Sequence, residues 1–193
     1  MTYRLRPLTV LLLSALAVGL SACSSSPNAT DWFFGDALVV RVKEVRLTEE
    51  VSYSIDLDGD QVADKHYVIR PIGEGQVIAA ARIEIRNRLA SMVIMPINKD
   101  SARLRDSKFF DYRPIDPFRE RQELDEGLAD EDTLIPFIWA DGSPEAPVIE
   151  LPRNCGEAGA ACELVGWMFF EVPRDIEFYQ LVWEAADSIY LRF

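Results

Sequence analysis

Histidine is nearly absent from this chain. Its scarcity argues against catalytic triads and zinc sites, which commonly use imidazole groups. The 193 residues contain one histidine, His66. Triads of the Ser-His-Asp or Cys-His kind need an imidazole as their base, and zinc sites need several His or Cys ligands. No phosphate loop, dinucleotide fingerprint or zinc motif occurs. The sequence therefore predicts a protein that is not an enzyme, and we interpret His66 as a surface or loop-capping residue.

Basic residues are scarce relative to acidic ones. Lys and Arg number 20 against 32 Asp and Glu, which gives a formal net charge of −12. Binding to nucleic acid depends on clustered Lys and Arg, so this balance argues against a nucleic-acid partner. It also argues against a domain that lies flat on anionic lipid. The simplest consequence of the acidity is solubility.

Cysteine is also scarce, with three in the chain. The first of these cysteines follows an apolar leader. Arg4 and Arg6 precede the apolar run at residues 8–20, which is shorter than the about 20 residues that a membrane-spanning helix needs. A positive start, a short apolar run and small residues at its end are typical of a cleaved secretory signal peptide. We therefore predict a signal helix over residues 1–22; the alternative is an uncleaved membrane anchor.

The sequence Leu20-Ser21-Ala22-Cys23 resembles the lipobox of bacterial lipoproteins. The resemblance implies that Cys23 carries covalent lipid and becomes the first residue of the mature protein. Residues 23–36 would then be the lipidated cysteine with a polar tether, and residues 37–193 the folded domain. Ser24 is not the Asp that typically retains lipoproteins in the inner membrane. The implied location is the cell envelope, on the outer membrane facing the periplasm.

The other two cysteines form an even pair. Cys155 and Cys162 are separated by a short stretch rich in Gly and Ala, which lets the chain close easily. In an oxidising compartment we expect a disulfide between them; two free thiols are the alternative.

From Ala37 onward the apolar residues mostly alternate with polar ones. Residues 76–86 show this best, because Val77, Ala79, Ala81, Ile83 and Ile85 fall on one face. Many short alternating segments separated by turn signals are typical of a β-sandwich or barrel. The predicted strands are residues 38–47, 51–55, 66–70, 76–86, 92–95, 134–139, 148–151, 164–172, 177–183 and 188–193.

Residues 106–132 interrupt this pattern with aromatic residues and then an acidic run. Asp116 followed by Pro117 is typical of a helix N-cap and first helical position. We predict a short helix or helical turn there, inside a long surface connection. Such a connection either carries function or is a plain solvated insertion.

The C-terminal sequence Val165-Gly166-Trp167-Met168-Phe169-Phe170-Glu171-Val172-Pro173, with the strand that follows it, resembles the telokin-like, immunoglobulin-fold domain of many bacterial lipoproteins and secreted proteins of unknown function. The resemblance implies an all-β, immunoglobulin-like antiparallel β-sandwich. It gives Gly166 the role of allowing close backbone approach and Pro173 that of ending the strand. It implies no chemistry.

Asp56-Leu57-Asp58-Gly59-Asp60-Gln61-Val62-Ala63-Asp64 is a candidate metal site. Its carboxylates, on Asp56, Asp58, Asp60 and Asp64, recur at the first, third, fifth and ninth positions. Ca²⁺ takes six to eight oxygen ligands, and the sequence resembles calcium loops of envelope and extracellular proteins. It is not an EF-hand, because Tyr67 occupies the twelfth position, where a bidentate Glu is needed. An acidic hairpin turn is the alternative.

These features together predict a membrane-anchored envelope lipoprotein that acts as a non-catalytic binding or accessory module. Its expected partners are the membrane, through the lipid on Cys23, and an envelope protein. The alternative is an envelope enzyme or enzyme inhibitor that acts through residues 106–132. Within residues 23–36, Trp32, Phe33 and Phe34 follow the polar residues 24–28 and either pack back on the domain or lie at the lipid interface.

The calcium hypothesis predicts a metal-dependent melting temperature. Millimolar Ca²⁺ should raise the melting temperature relative to EDTA, because the ion neutralises crowded carboxylates, and Asp58→Ala should abolish that difference. Equal melting temperatures in both buffers, with no effect of the substitution, would favour the acidic turn.

Overall fold

The computed structural model describes residues 31–56, 62–125, 134–140, 147–153 and 163–193. These ranges form an all-β structure whose sheets are antiparallel, and no helix occurs within them. The predicted signal helix lies outside the described residues. The strands are β1 (Phe33–Phe34), β2 (Leu38–Thr48), β3 (Val51–Ile55), β4 (Lys65–Ile69), β5 (Gln76–Asn87), β6 (Met92–Met95), β7 (Ala102–Asp106), β8 (Asp111–Tyr112), β9 (Gln122–Leu124), β10 (Ile149–Pro152), β11 (Glu163–Pro173), β12 (Phe178–Trp183) and β13 (Ile189–Arg192).

The central sheet has the strand order β1-β2-β5-β11 and contains the three longest strands. Strand β5 pairs with β2 on one side and with β11 on the other, so that Ile85 lies opposite Val40 and Leu164. The other sheets have the orders β13-β12-β7-β8, β10-β6 and β3-β4-β9.

Other strands cover both faces of the central sheet. The alternation of apolar residues in β5 predicts a core on only one of these faces. The predicted row from Val77 to Ile85 is confirmed, since these residues join the larger core with β6, β7, β10, β12 and β13. On the opposite face, Ile78 and Ala80 pack with Phe169 of β11 in a second core. That core is completed by Val51, Tyr53, Tyr67 and Ile69 of β3 and β4. The sheets therefore stack as layers, with β5 in the middle.

The predicted helical insertion is wrong in the described residues 106–125. Asp116 does act as a cap: its Oδ1 accepts the backbone N–H groups of Phe118 and Arg119, at 2.9 and 3.2 Å. Its carbonyl oxygen accepts the N–H of Glu120 at 3.0 Å. The chain then leaves this single turn and enters β9, which pairs with β4.

Contacts with the β3-β4-β9 sheet explain why the turn does not extend. The hydroxyl of buried Tyr53 donates to the carbonyl oxygen of Pro117. The guanidinium of Arg121 lies over the Tyr67 ring, 3.6 Å from its centroid, and donates to the Tyr53 hydroxyl at 3.2 Å. These tertiary contacts draw the chain back onto the sheet, where they outweigh the local helix signal.

Residues 134–139, predicted as a strand, instead run extended along the edge of β11 without forming a ladder. Pro136 makes one isolated bridge to Trp167, and Pro lacks the N–H that a regular ladder needs. The Trp167 N–H donates to the Ile135 carbonyl oxygen at 3.1 Å. This segment covers the edge of the central sheet.

Residues 32–34 pack on the domain. Phe33 and Phe34 pair with Val40 and Val39 of β2. The Trp32 ring lies close to two guanidinium groups, with centroid distances of 4.3 Å to Arg41 and 4.5 Å to Arg86.

In the described part of the chain, no helix is long and apolar enough to cross a membrane.

The role expected for Gly166 is confirmed by its contact with a core ring. A Cβ atom added at Gly166 would lie 2.6 Å from Cδ1 of Phe137. Phe137 is 2% exposed and packs toward Trp183 in the larger core. Only a residue without a side chain lets this ring come so close to the backbone of β11.

Gly166→Ala should lower the free energy of unfolding by about 1–3 kcal/mol, because the added methyl group overpacks the Phe137 ring. The midpoint of denaturant unfolding measures this. Val165→Ala, at the neighbouring and more exposed position, is the matched control and should change stability little. Equal midpoints for the two variants would show that Phe137 moves aside at no cost.

Candidate functional site

The predicted calcium ligands are only partly within the described residues. Asp56 and Asp64 flank the β3–β4 connection, and the Asp64 N–H donates to the Ile55 carbonyl oxygen at 3.0 Å. Asp58 and Asp60 lie outside the described residues. Among those that are described, no group of three or more His, Cys, Asp or Glu could hold a metal ion. Calcium binding stays a prediction.

The three cysteines also lie outside the described residues, so lipid on Cys23 and a disulfide between Cys155 and Cys162 stay predictions. His66 is described: it lies on β4 directly opposite Ser54 of β3. The hydroxyl oxygen of Ser54 is 2.7 Å from Nδ1 of His66. This half-buried pair links two neighbouring strands.

Among the described residues, the connection between β7 and β8, residues 107–110, is a strongly hydrogen-bonded surface turn, which we call the aromatic tip. Its organising group is the carboxylate of Asp106, which is only 6% exposed. Oδ1 accepts the backbone N–H groups of Lys108 and Phe110, both at 2.9 Å. Oδ2 accepts the hydroxyl of Tyr112 at 3.0 Å. One buried carboxylate therefore closes the whole turn.

The hydroxyl of Tyr112 is suited to this donation at neutral pH. Burial raises the pKa of Tyr112 above its usual value, and the adjacent Asp106 carboxylate raises it further. The phenol therefore remains protonated and donates to Asp106. Ser107 secures the other side of the turn, since its N–H donates to the Glu177 carbonyl oxygen at 2.9 Å.

The tip presents two adjacent phenylalanine rings to solvent. Phe109 is 67% exposed and Phe110 is 63% exposed. Phe109 has a φ of 67°, in the left-handed region that a bulky residue rarely adopts. Its ring meets that of Tyr179 edge-on at 5.3 Å. Strained backbone of this kind persists only where the surroundings hold it, and it is concentrated at functional sites.

Charged residues border the tip on the outer face of the β13-β12-β7-β8 sheet. Asp111 pairs with Arg103 at 3.2 Å and with Arg105 at 2.6 Å. Hydrogen bonding to Arg105 is the main reason that the pKa of the Asp111 carboxyl lies below its usual value. The guanidinium of Arg192 lies 5.9 Å from the Tyr179 centroid. An apolar centre with a polar, ion-paired border is typical of a protein-binding surface.

Two open grooves lie on either side of the turn at residues 116–120. One measures 460 Å³ and the other 400 Å³, and both are lined by Arg119 and Glu120. In the larger groove Arg113 pairs with Asp100 and Arg119 with Asp116. Because its cations and carboxylates balance, this groove does not select a strongly charged ligand.

No predicted strand covers β7, and the tip was included only as part of the connection at residues 106–132. The available signal was the alternation of Ala102, Leu104 and Asp106 with Arg103 and Arg105, followed by the turn residue Ser107. The role of Asp106 was hidden, because its partners are mainly backbone N–H groups that a sequence does not distinguish.

No profile of a known protein family matches the chain, and neither does any curated protein. One similar solved structure is an uncharacterised β-sandwich protein from Clostridium difficile 630, with a TM-score of 0.39 and 8% identity over 80% of this chain and 83% of that one.

Asp106→Ala should open the aromatic tip. The N–H groups of Lys108 and Phe110 lose their shared acceptor, so their hydrogen exchange should accelerate, and the free energy of unfolding should fall by about 1–3 kcal/mol. Asp111→Ala is the control, because a partly exposed ion pair contributes less, about 0–1 kcal/mol. Unchanged exchange at residues 108 and 110 in Asp106→Ala would contradict the anchoring role of this carboxylate.

Proposed function

We propose that this protein is a lipid-anchored envelope lipoprotein of the telokin-like, immunoglobulin-fold kind. We further propose that it acts as a non-catalytic binding or accessory module, with the aromatic tip as its contact with a protein partner. The lipobox resemblance at Cys23 supports the anchor, and the C-terminal resemblance supports the fold assignment.

The exposed and fixed aromatic tip is the observation that carries the binding role. Aromatic side chains contribute strongly to protein interfaces, and Phe109 and Phe110 expose two adjacent rings. Binding costs less when the contacting groups are ordered beforehand. The Asp106 carboxylate supplies that order through three hydrogen bonds. A surface built in this way fits recognition of an apolar patch on another protein.

The position of the tip in the fold favours a protein partner over the anchoring membrane. At one end of β12, Phe178 lies opposite Asp106, next to the tip. At the other end Trp183 lies opposite Ile189, close to the turn that leads into β2. Strand β12, which joins these two ends, has 6 residues and spans about 20 Å. A lipid on Cys23 therefore holds the domain by the end opposite the tip.

The alternative, an envelope enzyme or enzyme inhibitor acting through residues 106–132, uses the same region. A rigid exposed hairpin turn also suits insertion into another protein's cleft. If the tip turns out to bind an enzyme and lower its activity, the inhibitor function replaces the accessory role. Substrate turnover by the purified chain would contradict the non-catalytic proposal.

The anchor is tested with Cys23→Ser. The variant should lose palmitate labelling and leave the membrane fraction, because the thiol that accepts lipid is gone. Export and folding are checked by protease resistance of the domain in the same cells. A Cys23→Ser protein that stays membrane-bound would refute the anchor.

The tip is tested by crosslinking in intact cells with the full-length chain. Phe109→Ser/Phe110→Ser should lose most of the protein adducts of the parent chain, because the apolar contact is removed while the backbone anchor remains. Ile94→Ser, which removes an apolar side chain of similar exposure from β6, is the matched control and should retain them. Adducts that persist in the double variant would exclude the tip as the contact.

A further inference from the structure

The end of the domain where the tether joins it carries a second exposed feature. Phe34 is 68% exposed and Leu89 is 55% exposed, and the exposed side chains of Arg88 and Arg153 lie beside them. We call these four residues the anchor-end patch. Single exposed apolar residues are ordinary, so the patch matters because of how its members are joined and where they lie.

Contacts join the four residues in two pairs, and the peptide bond between Arg88 and Leu89 connects the pairs. The Arg88 guanidinium lies 5.4 Å from the Phe34 centroid. Its Nη1 donates to the Gly35 carbonyl oxygen at 2.6 Å. Nη1 of Arg153 lies 3.4 Å from the carbonyl oxygen of Leu89 and donates to it. Phe34, Arg88, Leu89 and Arg153 therefore form one continuous surface.

The turn beneath the patch is fixed. The carboxylate of Asp187, just before β13, accepts the N–H groups of Ala37 and Leu38 at 2.8 and 3.0 Å. Gly35 donates to the Leu38 carbonyl oxygen at 2.9 Å. A Cβ atom at Gly35 would lie 2.3 Å from Oδ2 of Asp187, so the backbone fits closely against that carboxylate. The patch is therefore part of the rigid domain.

The charge of the patch differs from that of the chain. Arg88 and Arg153 form no ion pair with a carboxylate of the described residues, and their side chains donate to carbonyl oxygens instead. Asp36 is the exposed acidic residue of the same turn. Two cations without a carboxylate partner in the described residues thus lie beside two carboxylates, that of Asp36 and that of Asp187, which accepts backbone N–H groups. The patch is therefore close to neutral in a chain of net charge −12. The geometry of a guanidinium group matches that of a phosphate group, to which it can donate two hydrogen bonds.

The length of the tether determines what this surface can meet. Nine peptide steps join Cys23 to Trp32, whose ring lies against Arg41 and Arg86, and they span at most about 32 Å. A lipid on Cys23, which is part of the function proposed above, keeps this end of the domain within that distance of the bilayer.

We propose that the anchor-end patch rests on the phospholipid surface. Phe34 and Leu89 enter the boundary between headgroups and acyl chains, and Arg88 and Arg153 bind headgroup phosphates. The domain then contacts the membrane through one end and does not lie flat on it. This agrees with its net negative charge, which disfavours a broad contact with anionic lipid. The aromatic tip points away from the membrane.

Depth-dependent quenching tests this orientation. Full-length lipidated protein carrying Phe34→Cys or Phe110→Cys is labelled with an environment-sensitive dye and reconstituted into vesicles of phosphatidylethanolamine and phosphatidylglycerol. Brominated lipid should quench the dye at position 34 several-fold more than the dye at position 110. Arg88→Glu/Arg153→Glu should reduce the quenching at position 34. The parent chain, without an introduced cysteine, measures background labelling.

Each outcome decides the proposal. Equal quenching at both positions, or stronger quenching at position 110, would overturn it. Crosslinks from position 34 to a second protein, without quenching, would assign the patch to a protein partner and also overturn it. Mass analysis of Cys23 distinguishes failure of the lipid anchor from failure of the patch proposal. Lipid on Cys23 without quenching refutes only the membrane contact of the patch, whereas absence of lipid refutes the anchor and the patch together.

Discussion

Strand β5 contributes side chains to two cores, one on each of its faces. The other sheets are arranged so that they cover these two faces. One face of the strand meets the larger core, while Ile78 and Ala80 on the other face meet the second core. Where β3 and β4 cover the sheet, β5 has to be apolar on both sides. Beyond that cover its outward residues are charged, and Glu84, 5% exposed, is satisfied by Arg41. A buried carboxylate without this partner would be strongly destabilising.

The aromatic tip uses the stability of that layered body to hold a locally unfavourable conformation. A positive φ at a bulky residue such as Phe109 costs about 1–3 kcal/mol. Buried Asp106 offsets this cost by accepting from the turn and from Tyr112. The exposed rings are thus fixed by a group that lies beneath them and is itself inaccessible to a partner.

The periodicity of apolar residues predicted the long strands. It did not predict the segments whose conformation is determined by tertiary contacts. Strands β2, β5 and β11 were recognised because each repeats its pattern over many residues. The helix at Asp116 was wrong because a cap specifies only the first turn, and Tyr53 and Arg121 then hold the chain against β4. The second core could not be foreseen, since β5 shows regular alternation only for the larger one. The tip was included only within the connection at residues 106–132, and its anchoring by Asp106 could not be predicted because two of the three hydrogen-bond donors are backbone groups.

The order of strands in the central sheet also has a kinetic consequence. Arg86 of β5 contacts Glu163 of β11 across 77 positions in the sequence, and Arg41 of β2 contacts Glu84 across 43. Closing such long loops before their contacts form makes folding slow, typically on the scale of milliseconds to seconds. Neither core is complete until the last third of the chain is available, so most of the polypeptide must remain unfolded, and protected from aggregation, until that part can join it.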